Sequence, residues 1–234
     1  MSESIIQDSF GKVNHKLDYM VGNREQGQLV QVASMPGETI FASKVALTAD
    51  ISWRLALEGR IYIASDADQN DRVTGQTSFA NTTPTFCLHN PSNSDVVCVP
   101  FYYQLAQTGT VAGGDIAVET EGRSPSAFSS GTLEGSSNAA FGLTGAPAAK
   151  CLLYSTVTAT SGYGRAVGST TLGPDVSPAE GVINIYEWQA PTGLFLWPNA
   201  SLQVYTSAGT TGPTWSWHFV WAELPKVWLI PGGR

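Results

Sequence analysis

The stretch ASLQVYT-SAGTTGP-TWSWHFVWAEL, residues 200–224, decides the fold class. In 200–206, Leu202 and Val204 share one parity, and Ser201, Gln203 and Tyr205 share the other. In 214–224, Trp215, Trp217, Phe219 and Trp221 fall on one face, opposite Ser216, His218, Val220 and Ala222. Strict period two in aromatic and β-branched residues is a strand pattern. The Gly/Thr/Pro segment 207–213 is a turn, so the sequence predicts a long antiparallel hairpin whose aromatic face is buried.

The same pattern recurs upstream. Residues 84–90 form a strand that stops at the turn Asn90-Pro91-Ser92-Asn93-Ser94. Residues 95–106 then alternate, with Val97, Val99, Phe101, Tyr103 and Leu105 on one parity. Pro100 cannot donate a ladder hydrogen bond, which predicts an edge strand or a bulge there. Further strands are expected at 29–33, 39–47, 61–63, 115–120, 151–159, 182–188 and 227–230. Residues 51–57 suit helix or strand, and Gly59 followed by Ile61-Tyr62-Ile63 favours strand–turn–strand. Residues 162–174 read as a glycine-rich loop.

Two segments break the strand rhythm. Residues 1–28 are polar and aperiodic, and are read as an N-terminal arm that orders on a partner or on the domain's own edge. Residues 121–149 are rich in Ser, Gly and Ala, with isolated Phe128, Leu133, Phe141 and Leu143. Loops this long are uncommon inside a compact domain, so the spaced apolar residues predict an extended segment pinned to a surface, including that of another subunit. The expected architecture is all-β: an antiparallel β-sandwich, jelly-roll-like, in one domain (29–234) with the arm (1–28) and the long loop (121–149).

Composition narrows the function. The chain has 234 residues, of which 13% are charged, and a formal net charge of −7. Sequence-independent nucleic-acid binding needs clustered Lys and Arg, and the twelve present are scattered. The three cysteines, Cys87, Cys98 and Cys151, make no disulfide framework and suit small buried hydrophobes. No basic-then-apolar leader opens the chain and no membrane-spanning run occurs. A chain made in a reducing cytoplasm is therefore expected, with the Asn-x-Ser/Thr triplets at Asn81 and Asn199 there by chance.

Chemistry-bearing motifs are sparse. Asp66, Asp68 and Asn70 match the first three ligand positions of a calcium loop. Asp71 then stands where the turn needs Gly, and Thr77 where a bidentate Glu belongs, so a solvated turn is expected. His15, His89 and His218 have no metal-ligand spacing. No Gly-x-Ser-x-Gly elbow occurs, and the glycines at 162, 164 and 168 lack the dinucleotide-loop context. Glu187 and Glu223, each near a tryptophan, are the only carboxylates cast as a glycosidase pair, which requires roughly 5–9 Å between them. The reading is of a non-enzyme with no catalytic residue, cofactor or metal.

The strand-turn Phe86-Cys87-Leu88-His89-Asn90-Pro91 with the strand running on to Gly109, and the C-terminal pair closing on Trp221-Ala222-Glu223-Leu224-Pro225, resemble tailed-phage virion proteins. These are small β-sandwich proteins of the capsid decoration or head-fibre type, and the likeness covers about a quarter of the chain. It implies a structural virion protein, made in the host cytoplasm. The partners implied are the chain itself, most often as a homotrimer, and the major capsid protein or another virion protein, with neither nucleic acid nor membrane. The alternative is a carbohydrate-binding module or a receptor-binding tail or fibre component.

Overall fold

The computed structural model describes residues 4–7, 13–16, 55–66, 71–108, 115–126, 128–159, 164–174, 184–191, 193–208 and 212–229. The strands expected at 29–33 and 39–47, and most of 51–57, lie outside them. The chain divides into two compact units, Met1–Thr48 and Ala49–Arg234. In the first, within the segment read as an arm, β1 (Ser4–Gln7) pairs antiparallel with β2 (Val13–Lys16).

The second unit holds twelve described strands: β3 (Ile61–Ser65), β4 (Val73–Thr74), β5 (Phe86–Asn90), β6 (Val96–Gln107), β7 (Asp115–Arg123), β8 (Phe128–Leu133), β9 (Ser137–Asn138), β10 (Leu152–Ala159), β11 (Arg165–Pro174), β12 (Ile185–Gln189), β13 (Ala200–Ser207) and β14 (Thr214–Pro225). One sheet runs β11-β7-β13-β5-β10-β8, and the other runs β12-β6-β14-β3-β9 with β4 also on β14. All strand pairs are antiparallel. Setting aside the short β4 and the β8–β10 segment leaves β5-β13-β7-β11 over β3-β14-β6-β12. That is the order of an eight-stranded jelly roll, two Greek keys wrapped into a sandwich. The all-β sandwich expected from period two is the fold observed.

The expected hairpin is not one. β13 pairs with β5 and β7, whereas β14 pairs with β3, β4 and β6, so residues 207–214 carry the chain from one sheet to the other. Alternation fixes which face of a strand is apolar but not which strand it pairs with. Here the two apolar faces meet across the sandwich. Trp215, Trp217, Phe219 and Trp221 are buried in one core with Phe86, Leu88, Ile116, Val118, Leu202 and Val204. Phe86 packs on Trp217 and Phe219 at ring separations of 5.6 and 5.2 Å. Buried Asn90 ties the crossings together, its Nδ2 donating to the carbonyls of Val96 (3.0 Å) and Leu196 (2.8 Å).

β6 is an inner strand, and the feature at Pro100 is a bulge. Trp221 pairs with Pro100 and Val220 with Tyr102, leaving Phe101 as the extra residue. The bulge switches faces, so the five apolar residues read as one stripe divide. Tyr103 and Leu105 enter the main core, while Val99 and Phe101 join an outer cluster with Leu55, Ile61 and Ala222.

Four further expectations are corrected. The segment 121–149 is not one long loop: it completes β7, then forms β8 against β10 and β9 against β3, and residues 139–149 run as turns and irregular chain. Its apolar Phe128 stacks on its own domain, against Tyr154 (4.3 Å) and His89 (5.1 Å). Residues 165–174, read as loop, are strand β11. Gly168 is required there because a Cβ would lie 2.7 Å from Trp188 Nε1. Residues 55–57 are helical and end in a Schellman cap: Arg60 N donates to Leu55 O and Gly59 N to Ala56 O, with Gly59 at φ 67°. The terminal strand is instead a short helix, Lys226–Leu229, because Pro225 has no N–H to extend the ladder.

Candidate functional site

The structure does not gather the residues that the sequence singled out. His89 lies on β5 and His218 on β14, on the outward faces of opposite sheets, and burial lowers the proton affinity of both. His15 belongs to β2 of the first unit. Glu187 and Glu223 lie on opposite faces of one sheet. Glu187 is exposed, whereas Glu223 is buried and accepts from the main chain at Lys150 and Cys151. They form no carboxylate pair across a cleft. All three cysteines are free and buried, and burial pushes the Cys87 thiol up to about 12. Asp68 and Asn70 fall outside the described residues, and Asp66 Oδ1 accepts the Asp71 N–H at 3.1 Å. Among the described residues no three His, Cys, Asp or Glu are placed to hold a metal. The tryptophan stripe is buried and offers no binding platform.

What the structure brings together lies on the two outward faces. On the β12-β6-β14-β3 sheet, Glu187, Gln104, His218 and Ser65 are cross-strand partners in one row. Glu187 Oε1 accepts from Tyr102 Oη (3.0 Å) and Gln104 Nε2 (2.7 Å), and the Tyr102 ring lies 6.2 Å from the His218 ring. Burial and the Glu187 carboxylate raise the Tyr102 pKa. The carboxylate is thus held in one orientation on an open surface.

On the other sheet, Ala117, Glu119, Glu121 and Arg123 alternate outward along β7, next to Ser207, Tyr205, Gln203 and Ser201 of β13. Here β13 is buried on both faces. Residues from the β4–β5 connection cover it: Phe79 packs on Tyr205 (5.3 Å), and Asn81 O accepts from Arg123 Nη2 (3.1 Å) and lies 3.0 Å from Tyr205 Oη. Arg123 also bonds Glu121 Oε2 through Nε (3.1 Å) and Nη2 (2.9 Å), and reaches Tyr205 Oη at 2.6 Å. Its Nη1 is buried without a partner, as is His89 Nδ1. Both residues are cross-strand neighbours of Ser201. Burial, followed by the negative charge of Glu121, raises the pKa of Glu119.

Sequence reading passed over Glu119, Ala117, Phe79, Tyr102 and Gln104. The period-two pattern puts Glu119, Glu121 and Arg123 on one face of β7, but their neighbours on β11 and β13 are distant in the chain. No protein-family model matches the chain, and neither a curated protein nor a solved structure matches it.

Proposed function

We propose that this chain is a structural protein of a bacteriophage virion, a capsid decoration or head-fibre component. It acts as a homo-oligomer that stabilises or decorates the particle through contact with the major capsid protein or a neighbouring virion protein. The observation that carries the reading is the apolar character of outward-facing residues around the β12-β6-β14-β3 sheet. Val99, Phe101, Val220 and Leu224 are only partly covered there. Leu196, bridged to core-facing Cys98, leaves Phe195 and Trp197 43% and 40% exposed. Contiguous exposed apolar surface marks an interaction site, and a chain that is only 13% charged suits a surface covered by neighbours. A jelly roll is also an architecture of capsid and lectin domains, although fold by itself names no function.

Light scattering on the purified protein, combined with co-sedimentation on assembled capsids, tests the reading. A stable oligomer that pellets with capsids is expected. A monomer that stays in the supernatant refutes it.

The cluster of Tyr102, Gln104, Glu187 and His218 favours a second reading, carbohydrate binding. A fixed carboxylate, an amide and an aromatic ring on an open sheet match the hydroxyl pairs and C–H faces of a sugar. Saturable glycan binding that is lost in Tyr102→Ala would support it, and a blank glycan array would remove it.

A further inference from the structure

A hollow opens on the outward face of the β11-β7-β13 sheet because one residue there is small. Ala117 is the cross-strand partner of Thr171 on β11 and of Ser207 on β13. Its methyl group leaves unfilled the space between larger neighbours. In the next row, Glu119 stands between Ser169 and Tyr205. Phe79, packed on Tyr205 and 48% exposed, forms one wall. The cavity measures about 200 Å³ and is lined by Phe79, Ala117, Glu119, Ser169, Thr170 and Thr171.

The charge in this hollow has one sign. Its outward-facing polar side chains are one carboxyl and the hydroxyls of Ser169 and Thr171, with no cation among them. Arg123, on the same face of β7, is committed to Glu121, Tyr205 and Asn81. The neighbouring carboxylate of Glu121 takes the Arg123 guanidinium, and its negative charge acts on Glu119. Among the described residues Glu119 has no ion-pair partner.

We infer that this hollow receives the ammonium or guanidinium tip of a lysine or arginine side chain from a protein partner. Glu119 pairs with the cation, the Ser169 and Thr171 hydroxyls accept its remaining hydrogens, and the Phe79 ring offers its electron-rich face. Anionic ligands are repelled by Glu119. Drug-sized molecules and nucleotides need roughly 300–1,000 Å³, more than the hollow offers. One carboxylate is too few for a structural divalent cation. The chain's net charge of −7 draws basic partners toward it. This ligand chemistry does not depend on the virion reading, and neither does its test.

The test is a titration of the full chain followed by backbone-amide NMR. The probes are n-butylammonium and ethylguanidinium, with neutral N-butylacetamide as control. Saturable shifts at Ala117, Glu119, Thr170 and Thr171 are expected with the two cations only. Glu119→Gln keeps the shape, loses the charge and should weaken binding about tenfold. Ala117→Leu keeps the charge, fills the hollow and should abolish binding. Ala117 faces solvent, so an unchanged thermal midpoint shows that this variant is folded. A peptide carrying one lysine should bind at the same amides, and its acetyl-lysine form should not. Equal response to the neutral control, unchanged affinity in Glu119→Gln, or binding of the free amine without the lysine peptide would each overturn the inference.

Discussion

Replacing Glu223 tests how the two sheets are held at the end of the sandwich where β14 finishes. Its side chain is buried with 2% exposure, and three donors converge on its carboxylate. Lys150 N lies 2.9 Å from each oxygen, Cys151 N 2.8 Å from Oε1, and Trp221 Nε1 3.2 Å from Oε1. Through these bonds a strand of one sheet grips the entry to β10 in the other. Glu223→Ala orphans all three donors together. A buried donor left unpaired costs about 1–3 kcal/mol, so three sum to roughly 3–9 kcal/mol. Water entering the vacated space recovers part of this, and a loss of about 4–5 kcal/mol is expected. Against a typical domain stability of about 5–15 kcal/mol, that is a large fraction. Glu223→Gln keeps the volume and one carbonyl acceptor, so it should cost only about 1–3 kcal/mol. Urea unfolding followed by tryptophan fluorescence measures both, and all seven tryptophans belong to the second unit. An alanine variant within about 1 kcal/mol of the parent, or a glutamine variant as unstable as alanine, refutes the reasoning.

Other substitutions test other parts of the fold. Gly59→Ala places a side chain at φ 67° with its Cβ 2.9 Å from Leu143 Cδ2. It should cost about 1–2 kcal/mol in thermal or urea unfolding, and an unchanged midpoint would argue against the cap. Glu119 holds its proton more tightly when folded than at its ordinary value of 4.5, chiefly through burial. The folded chain therefore binds more protons than the unfolded chain above that value, and stability falls as pH rises through the window. Glu119→Gln should raise the thermal midpoint at about pH 7 but not at about pH 4, and an equal difference at both would count against this. His89 behaves in the opposite sense: burial lowers its folded pKa below 6.5. The stability tied to its neutral form is complete above 6.5 and is lost as pH falls through the folded value. His89→Gln should flatten part of the acid slope in the thermal midpoint, with His218 supplying another part. An unaltered slope would place the titration elsewhere.

Much of the architecture is written in local alternation. The Trp215 to Trp221 stripe named its buried face correctly because period two needs no knowledge of the neighbouring strand. Pro100 signals an edge strand or a bulge because its missing N–H is a local fact, but which of the two holds depends on the neighbours of β6. What alternation cannot carry is the identity of the neighbour. β13 and β14 are adjacent in sequence, and so they read as a hairpin, yet their partners come from residues 61–123. The switch of face at Phe101 follows from one extra residue against β14, which no periodicity count reveals. β8 and β11 read as loop in the sequence because Ser, Thr and Gly bury little, although backbone pairing needs no side chain. The hollow at Ala117 is illegible for a related reason: its walls come from two strands, β7 and β11, and a connecting segment, all distant in the chain. Glu119 looked like any outward-facing carboxylate until Phe79, Ser169 and Thr171 were placed beside it.

The placement of β13 and β14 also bears on when the chain can fold. β13 lies between β7 and β5 in one sheet, and β14 lies between β6 and β3 in the other. The ribosome therefore delivers the joining strand of each sheet only after the strands that flank it. Until then β3 and β6 have no common neighbour, and neither do β5 and β7. Their apolar faces and unpaired edges wait until residues 200–225 have been made, the condition under which chains associate wrongly. A chain stopped before residue 200 lacks the strand that joins β5 to β7 and the strand that joins β3 to β6, so neither layer closes until residues 200–225 have been made.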